Sequence, residues 1–143
     1  MNNQLFINTD TSKIFIWNNR TEKFQFNNAA YADVTHPAGT LMGRISATGR
    51  IVPLTAAAVD GSQFPIGILY QTTTIGTGET VDLTLCVSGD VVAEKVVLQA
   101  GTTLNSVIDG RRLFDRIGAD TVGIKMVQGS TELTTFDNPD NAL

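Results

Sequence analysis

The chain has 143 residues, of which 42% are apolar and 17% charged, with a formal net charge of −4. This length suits one compact domain with a short extension, and the composition is too apolar for a disordered chain. The acidic balance disfavours nucleic-acid binding through a basic face, because phosphate neutralisation needs clustered Lys and Arg, so no nucleic-acid partner is expected. Arg111, Arg112 and Arg116 form the one basic cluster, and with Asp109 and Asp115 beside them they read as a solvated helix face. The opening Met1-Asn2-Asn3-Gln4 lacks the basic and apolar regions of a secretory leader, and no run approaches the ~20 apolar residues of a membrane helix. Neither export nor membrane attachment is expected, and synthesis is expected in a cytoplasm.

Composition changes near residue 38. All thirteen glycines lie at Gly39 or beyond, whereas residues 1–38 hold seven asparagines and six of the ten aromatic residues. We read residues 1–36 as an extended N-terminal arm, 37–134 as a β domain and 135–143 as an acidic tail. In the arm, Gln4 to Asn8 is a first strand-like run, carrying Leu5, Phe6 and Ile7. Lys13 to Trp17 is a second, with Ile14 and Ile16 on one face and Phe15 and Trp17 on the other. Lys23 to Asn27 is a third, with Phe24 and Phe26 sharing a face. Asn18-Asn19 and Asn27-Asn28 suit turns between them. A strand that is apolar on both faces needs cover on both. Burying five of these aromatics contributes roughly 8–15 kcal/mol, while ordering each residue costs ~1–2 kcal/mol. Strand pairing must therefore add to ring burial. Two partners satisfy this: an open sheet edge on another protein, or the chain's own domain.

The domain reads as all-β with one short helix. Candidate strands are Thr40–Ser46, Arg50–Leu54, Ile66–Thr72, Thr80–Val87, Val91–Leu98 and Thr121–Gln128. Thr48-Gly49, Asp60-Gly61, Gly76-Thr77-Gly78, Ser88-Gly89 and Ala100-Gly101 supply turns between runs. Ser106 to Ile117 reads as a helix capped by Ser106 and closed by Gly118. Gly39, Gly43, Gly49, Gly61 and Gly67, with Asp60, read as structural turn or close-packing positions.

Reactive constellations are hard to assemble. His36 is the single histidine and precedes Pro37, which biases it to an extended backbone, so it reads as a hinge between arm and domain. Cys86, the single cysteine, cannot form an internal disulfide and sits in an alternating strand, where small-residue packing is expected. One Cys and one His cannot build a structural zinc centre. Asp137 to Asn141 is the only calcium-like run, and tail chemistry explains it equally well. The loop Gly76 to Thr80 lacks the Gly-Lys-Ser/Thr ending of a phosphate loop. No catalytic residue, cofactor or metal is expected, and the chain reads as a non-enzyme.

From Pro37 onward the sequence resembles the phage lambda-type head decoration protein family. The resemblance runs through Pro37-Ala38-Gly39-Thr40, Gly43-Arg44, Thr48-Gly49-Arg50, Asp60-Gly61-Ser62 and Gly67-Ile68-Leu69. It continues through a strand like Val81–Val87 and the late Val107-Ile108-Asp109-Gly110. It implies a β-tulip-like small barrel or sandwich. It also implies a homotrimer seated at three-fold and quasi-three-fold positions on the outside of an expanded phage head, bound to the major capsid protein and stabilising the shell against genome pressure. The arm, through Leu5, Phe6, Ile7, Ile14, Phe15, Ile16, Trp17, Phe24 and Phe26, is then the expected contact with the capsid, with a neighbouring decoration trimer or with its own domain. The competing reading is another virion surface module, a head fibre base or carbohydrate-binding decoration. That reading needs an aromatic platform, and the domain offers only Phe64, Tyr70, Phe114 and Phe136 for one.

Overall fold

The structure, a computed structural model, describes residues 13–128. The first arm run with Leu5, Phe6 and Ile7, the calcium-like run and the acidic tail lie outside the described residues. The described chain is mainly β. Its elements are β1 (Phe15–Asn27), β2 (Val34–His36), β3 (Leu41–Arg44), β4 (Ile51–Pro53), β5 (Pro65–Leu69), β6 (Thr73–Ile75), β7 (Thr80–Val92), β8 (Val107–Ile108), β9 (Arg111–Arg112), one helix α1 (Leu113–Asp120) and β10 (Ile124–Val127). The main sheet runs β1-β7-β5-β3-β4, with β10 added parallel to β7 beside Gly89–Val92. The other pairings are antiparallel, and β2–β6 and β8–β9 form separate ribbons.

The sheet curls until its two ends meet through side chains. The Arg44 guanidinium lies 5.0 Å over the Phe24 ring, and Arg50 Nε donates to Gln25 Oε1 at 3.1 Å. No backbone ladder joins β1 to β4 among the described residues, so the barrel is not closed. Curling gives β3, β5 and the middle of β7 two buried faces and splits the core. One cluster holds Phe26, Met42, Ile51, Leu69, Ile75, Leu83, Leu85 and Val87. The other holds Leu41, Leu54, Ile68, Cys86, Val91, Ile108, Leu113, Ile117 and Ile124. Neighbours Leu41/Met42, Ile68/Leu69 and Leu85/Cys86 go to opposite clusters, as strand alternation requires. These short strands therefore read as continuous apolar runs.

Several elements differ from the sequence reading. Ser88-Gly89 is no turn: β7 continues through it to Val92. The run Ile66–Thr72 stops at Leu69, and Thr73–Ile75 turns away to pair with β2. His36 is no hinge; it lies in that ribbon, opposite Thr73.

The expected helix over Ser106 to Ile117 begins only at Leu113. Before it, β8 and β9 form a hairpin whose two-residue loop is Asp109 (φ 51°) and Gly110 (φ 83°). Both loop residues are left-handed, the conformation of a type I′ turn, for which Asp-Gly is a leading sequence signature. Ser106 accepts the Thr103 N–H through Oγ rather than capping the helix. Gly118 lies within the helix, and Thr121 Oγ1 donates to Ile117 O at its end.

Arg116 is not a solvated helix residue. Its side chain is 13% exposed. Nε donates to Ile108 O at 2.6 Å, one Nη to Asp109 O at 3.1 Å and the other to Asp120 Oδ2 at 3.1 Å, while the guanidinium sits 4.9 Å from the Phe64 ring centroid. It ties hairpin, helix and the loop before β5 together. Arg116→Ala is expected to destabilise the fold by about 2–3 kcal/mol, because it orphans these carbonyls and removes charge-assisted bonds. Chemical denaturation at neutral pH measures this, and Arg116→Lys is expected to recover little, since an ammonium lacks the planar fork.

Candidate functional site

The largest exposed ring on β1 is Trp17, 70% exposed, beside Ile16 at 41%. How the chain presents them follows from the register of β1 on β7. From Thr21↔Cys86 to Asn27↔Thr80 the ladder is regular; towards the start of β1 it breaks repeatedly. Asn18 and Asn19 stand opposite Gly89 alone, between Trp17↔Asp90 and Arg20↔Ser88, and Ile16 is extra between Phe15↔Val91 and Trp17↔Asp90. Bulges of this kind bend a strand and re-aim its side chains.

The partner residue must be glycine. A Cβ on Gly89 would lie 2.6 Å from Asn18 O and 2.7 Å from Trp17 O, and Gly89 itself sits at φ 105°. Asn18 adopts φ 53°, a conformation asparagine tolerates better than most residues. Asn19 pins the bulge: its Nδ2 donates to Asp90 O at 3.0 Å and lies 3.6 Å from Cys86 Sγ. The Cys86 thiol is buried and donates to Ser88 O at 3.1 Å, and burial pushes its pKa up. It packs and bonds locally, with none of the activation a nucleophile needs.

Ile14's place ahead of β1 and the bulge at Ile16 together break the expected alternation. Ile14 and Phe15 are adjacent, yet both pack against the β7–helix cluster, Phe15 with its ring 4.8 Å from Tyr70. Ile14 O accepts from Val92 N, and its Cδ1 lies close to Gly39. Ile16 and Trp17 then face outward together. Further along, Phe24 is half-buried beneath Arg44, and Phe26 is 5% exposed in the core. Of Ile14, Phe15, Ile16, Trp17, Phe24 and Phe26, Ile16 and Trp17 are thus the pair left to meet a partner.

The turn residues are placed as follows. Gly39, Gly49 and Gly61 have φ of 96°, 73° and 102°. Gly43 abuts the Ser62 backbone, and a Cβ on Gly67 would meet Cys86 O at 2.9 Å. Asp60 Oδ1 accepts from both Ser62 N and Ser62 Oγ, and those bonds lower its pKa. Among the described residues no group of three His, Cys, Asp or Glu could hold a metal ion.

A feature missed in the sequence is the loop after β1. Asn28 is 2% exposed; its Nδ2 donates to Ala32 O, Ile75 O and Gly76 O, and its Oδ1 accepts from Ala30 N. Asp33 Oδ1 accepts from Thr77 N. The loop so braced carries Tyr31, wholly exposed, near the Thr80 end of β7 and far from Trp17. No periodic signal marks such a hub, because its partners are carbonyls 47 and 48 residues away.

Comparison with known families decides among structural roles. The family model of the bacteriophage lambda head decoration protein D matches residues 19–109, more than half of the chain. The chain belongs to the lambda head decoration protein D family. No curated protein matches it. Proteins of this decoration family are structural components of the phage capsid surface rather than enzymes, and the family implies binding to the capsid shell. The decoration-family match takes in the sheet from Asn19 to the hairpin and stops short of Ile16 and Trp17 on one side and of α1 and β10 on the other.

Proposed function

We propose that this chain seats as a homotrimer at three-fold and quasi-three-fold positions of an expanded head, gripping the major capsid protein and holding the shell against genome pressure. The observation that carries this is the decoration-family body with an exposed Ile16–Trp17 pair just before the matched segment. The proposed contact surface is that pair together with the segment that precedes it, including Leu5, Phe6 and Ile7. Phe15 and Ile14 anchor the base of this surface on the body. The curled sheet supports a tulip-like body, and Gly39, Gly43, Gly49, Asp60, Gly61 and Gly67 serve its shape rather than any chemistry. Three linked copies of a modest contact gain affinity by avidity, so no single deep site is required.

The test is co-sedimentation of purified protein with expanded and with unexpanded phage heads, followed by imaging of decorated particles. Binding to expanded heads alone, with three copies around each occupied axis, is the expected result. Equal binding to both head forms, binding to neither, or a different copy number would overturn the proposal.

A further inference from the structure

We propose that His36 makes the β2–β6 ribbon, with the loop carrying Tyr31, a flap that opens in mild acid ahead of the main sheet. Four observations converge on this corner. First, His36 is 9% exposed, and its Nε2 is a buried side-chain atom without a hydrogen-bond partner among the described residues. Second, its ring meets Phe26 edge-to-face, with centroids 5.0 Å apart, so apolar surface lies where a charged imidazole would need water or a carboxylate. Third, the ribbon is short: Val34↔Ile75, Thr35↔Thr74 and His36↔Thr73 are its only ladder pairs, and it stands apart from the main sheet. Fourth, Val34 packs against the cluster that includes Phe26 and Ile75 belongs to it, so opening the ribbon uncovers one edge of that core.

No neighbouring charge offsets protonation. β6 carries Thr73, Thr74 and Ile75, none of which titrates, and β2 has no ionisable side chain besides His36. Around them, Asp33 accepts from Thr77 N and Glu79 from Gly76 N; Lys23 and Asp82 are exposed on β1 and β7, and Arg44 lies over Phe24. Burial alone lowers the pKa of His36 from its ordinary 6.5. The direction of the effect follows. The closed flap keeps His36 neutral, whereas an open flap lets it take a proton near pH 6.5. The closed state is therefore fully favoured above that pH and loses ground as pH falls from there towards the depressed value. A buried, unpaired charge is costly enough that opening is the easier response.

Hydrogen exchange followed residue by residue tests this. Corrected for intrinsic exchange, opening of Val34–His36 and Thr73–Ile75 is expected to rise by up to about tenfold between pH 7.5 and 5.5. Leu83, Leu85 and Val87 in β7 are expected to stay unchanged. His36→Phe should abolish the rise, and His36→Gln, which keeps a neutral polar side chain, should do the same if phenylalanine perturbs packing. A His36 imidazole that titrates by NMR at or above 6.5, or an identical pH profile in wild type and both variants, would overturn the inference. Because the measurement uses the free protein, its failure leaves capsid binding untouched, and loss of capsid binding leaves it untouched.

Discussion

Gly43→Ala is expected to lower the melting temperature by roughly 10 °C, a loss of about 3 kcal/mol or more. Gly43 is buried in β3, paired with Val52 on one side and Pro65 on the other, where the ladder shifts register. A methyl there would run into the Ser62 main chain, 2.7 Å from the carbonyl carbon and 2.9 Å from Cα. Ser62 cannot step back easily: it is 4% exposed, and both its N–H and its hydroxyl are held by Asp60. Gly49→Ala is the matched control. Nothing lies within 4 Å of its added methyl, and only its φ of 73° opposes the change, an effect of about 1–2 kcal/mol. Thermal unfolding of the two variants side by side decides the point, and equal losses would mean that the contact at Ser62 relaxes freely.

The second large effect concerns attachment. Trp17→Ala is expected to leave the fold intact, because the ring is 70% exposed and the bulge beneath it is held by Asn19 and Gly89. On heads, removal of an anchoring tryptophan is expected to cost about 2 kcal/mol per copy, roughly a 30-fold weaker contact. In a trimer the loss multiplies through linked binding. Occupancy on expanded heads at limiting protein concentration is the measurement, with unfolding curves as the control. Full occupancy by Trp17→Ala would remove this ring from the contact surface. Gly89→Ala asks the same question differently: it keeps the indole and disturbs the bulge that aims it.

Much of this architecture was legible from residue order alone. The alternating run from Val81 to Val87, the glycine-bounded short strands and the ordered series from Pro37 to Leu69 all point to a small β body of the decoration type. Other features were not legible, for identifiable physical reasons. The regular part of β1 finds its partner in β7, about sixty residues away, and local composition carries no trace of so distant a pairing; the break near residue 38 marks a change in residue usage, whereas Phe26 packs among core residues on its far side. Alternation over Ile14 to Trp17 assigns the wrong faces because Ile14 precedes β1 and Ile16 is bulged out of the ladder, and Gly89, the residue that admits the next bulge at Asn18 and Asn19, looks like a turn glycine. The helix was placed early because its apolar spacing outweighed the Asp109-Gly110 hairpin signature. The buried environments of His36 and Arg116 come from tertiary neighbours that no short window contains.

The long ladder between β1 and β7 has a mechanical consequence. If the residues ahead of Phe15 are fastened to a pressurised shell, tension enters β1 at its upstream end and runs along the strand. Loaded this way, the regular rungs from Thr21↔Cys86 to Asn27↔Thr80 share the pull in shear rather than peeling one by one. The bulged upstream stretch can straighten first and take up slack, while the regular stretch beyond Arg20 holds. Under that condition the molecule is strung like a cleat, strongest along the axis of β1.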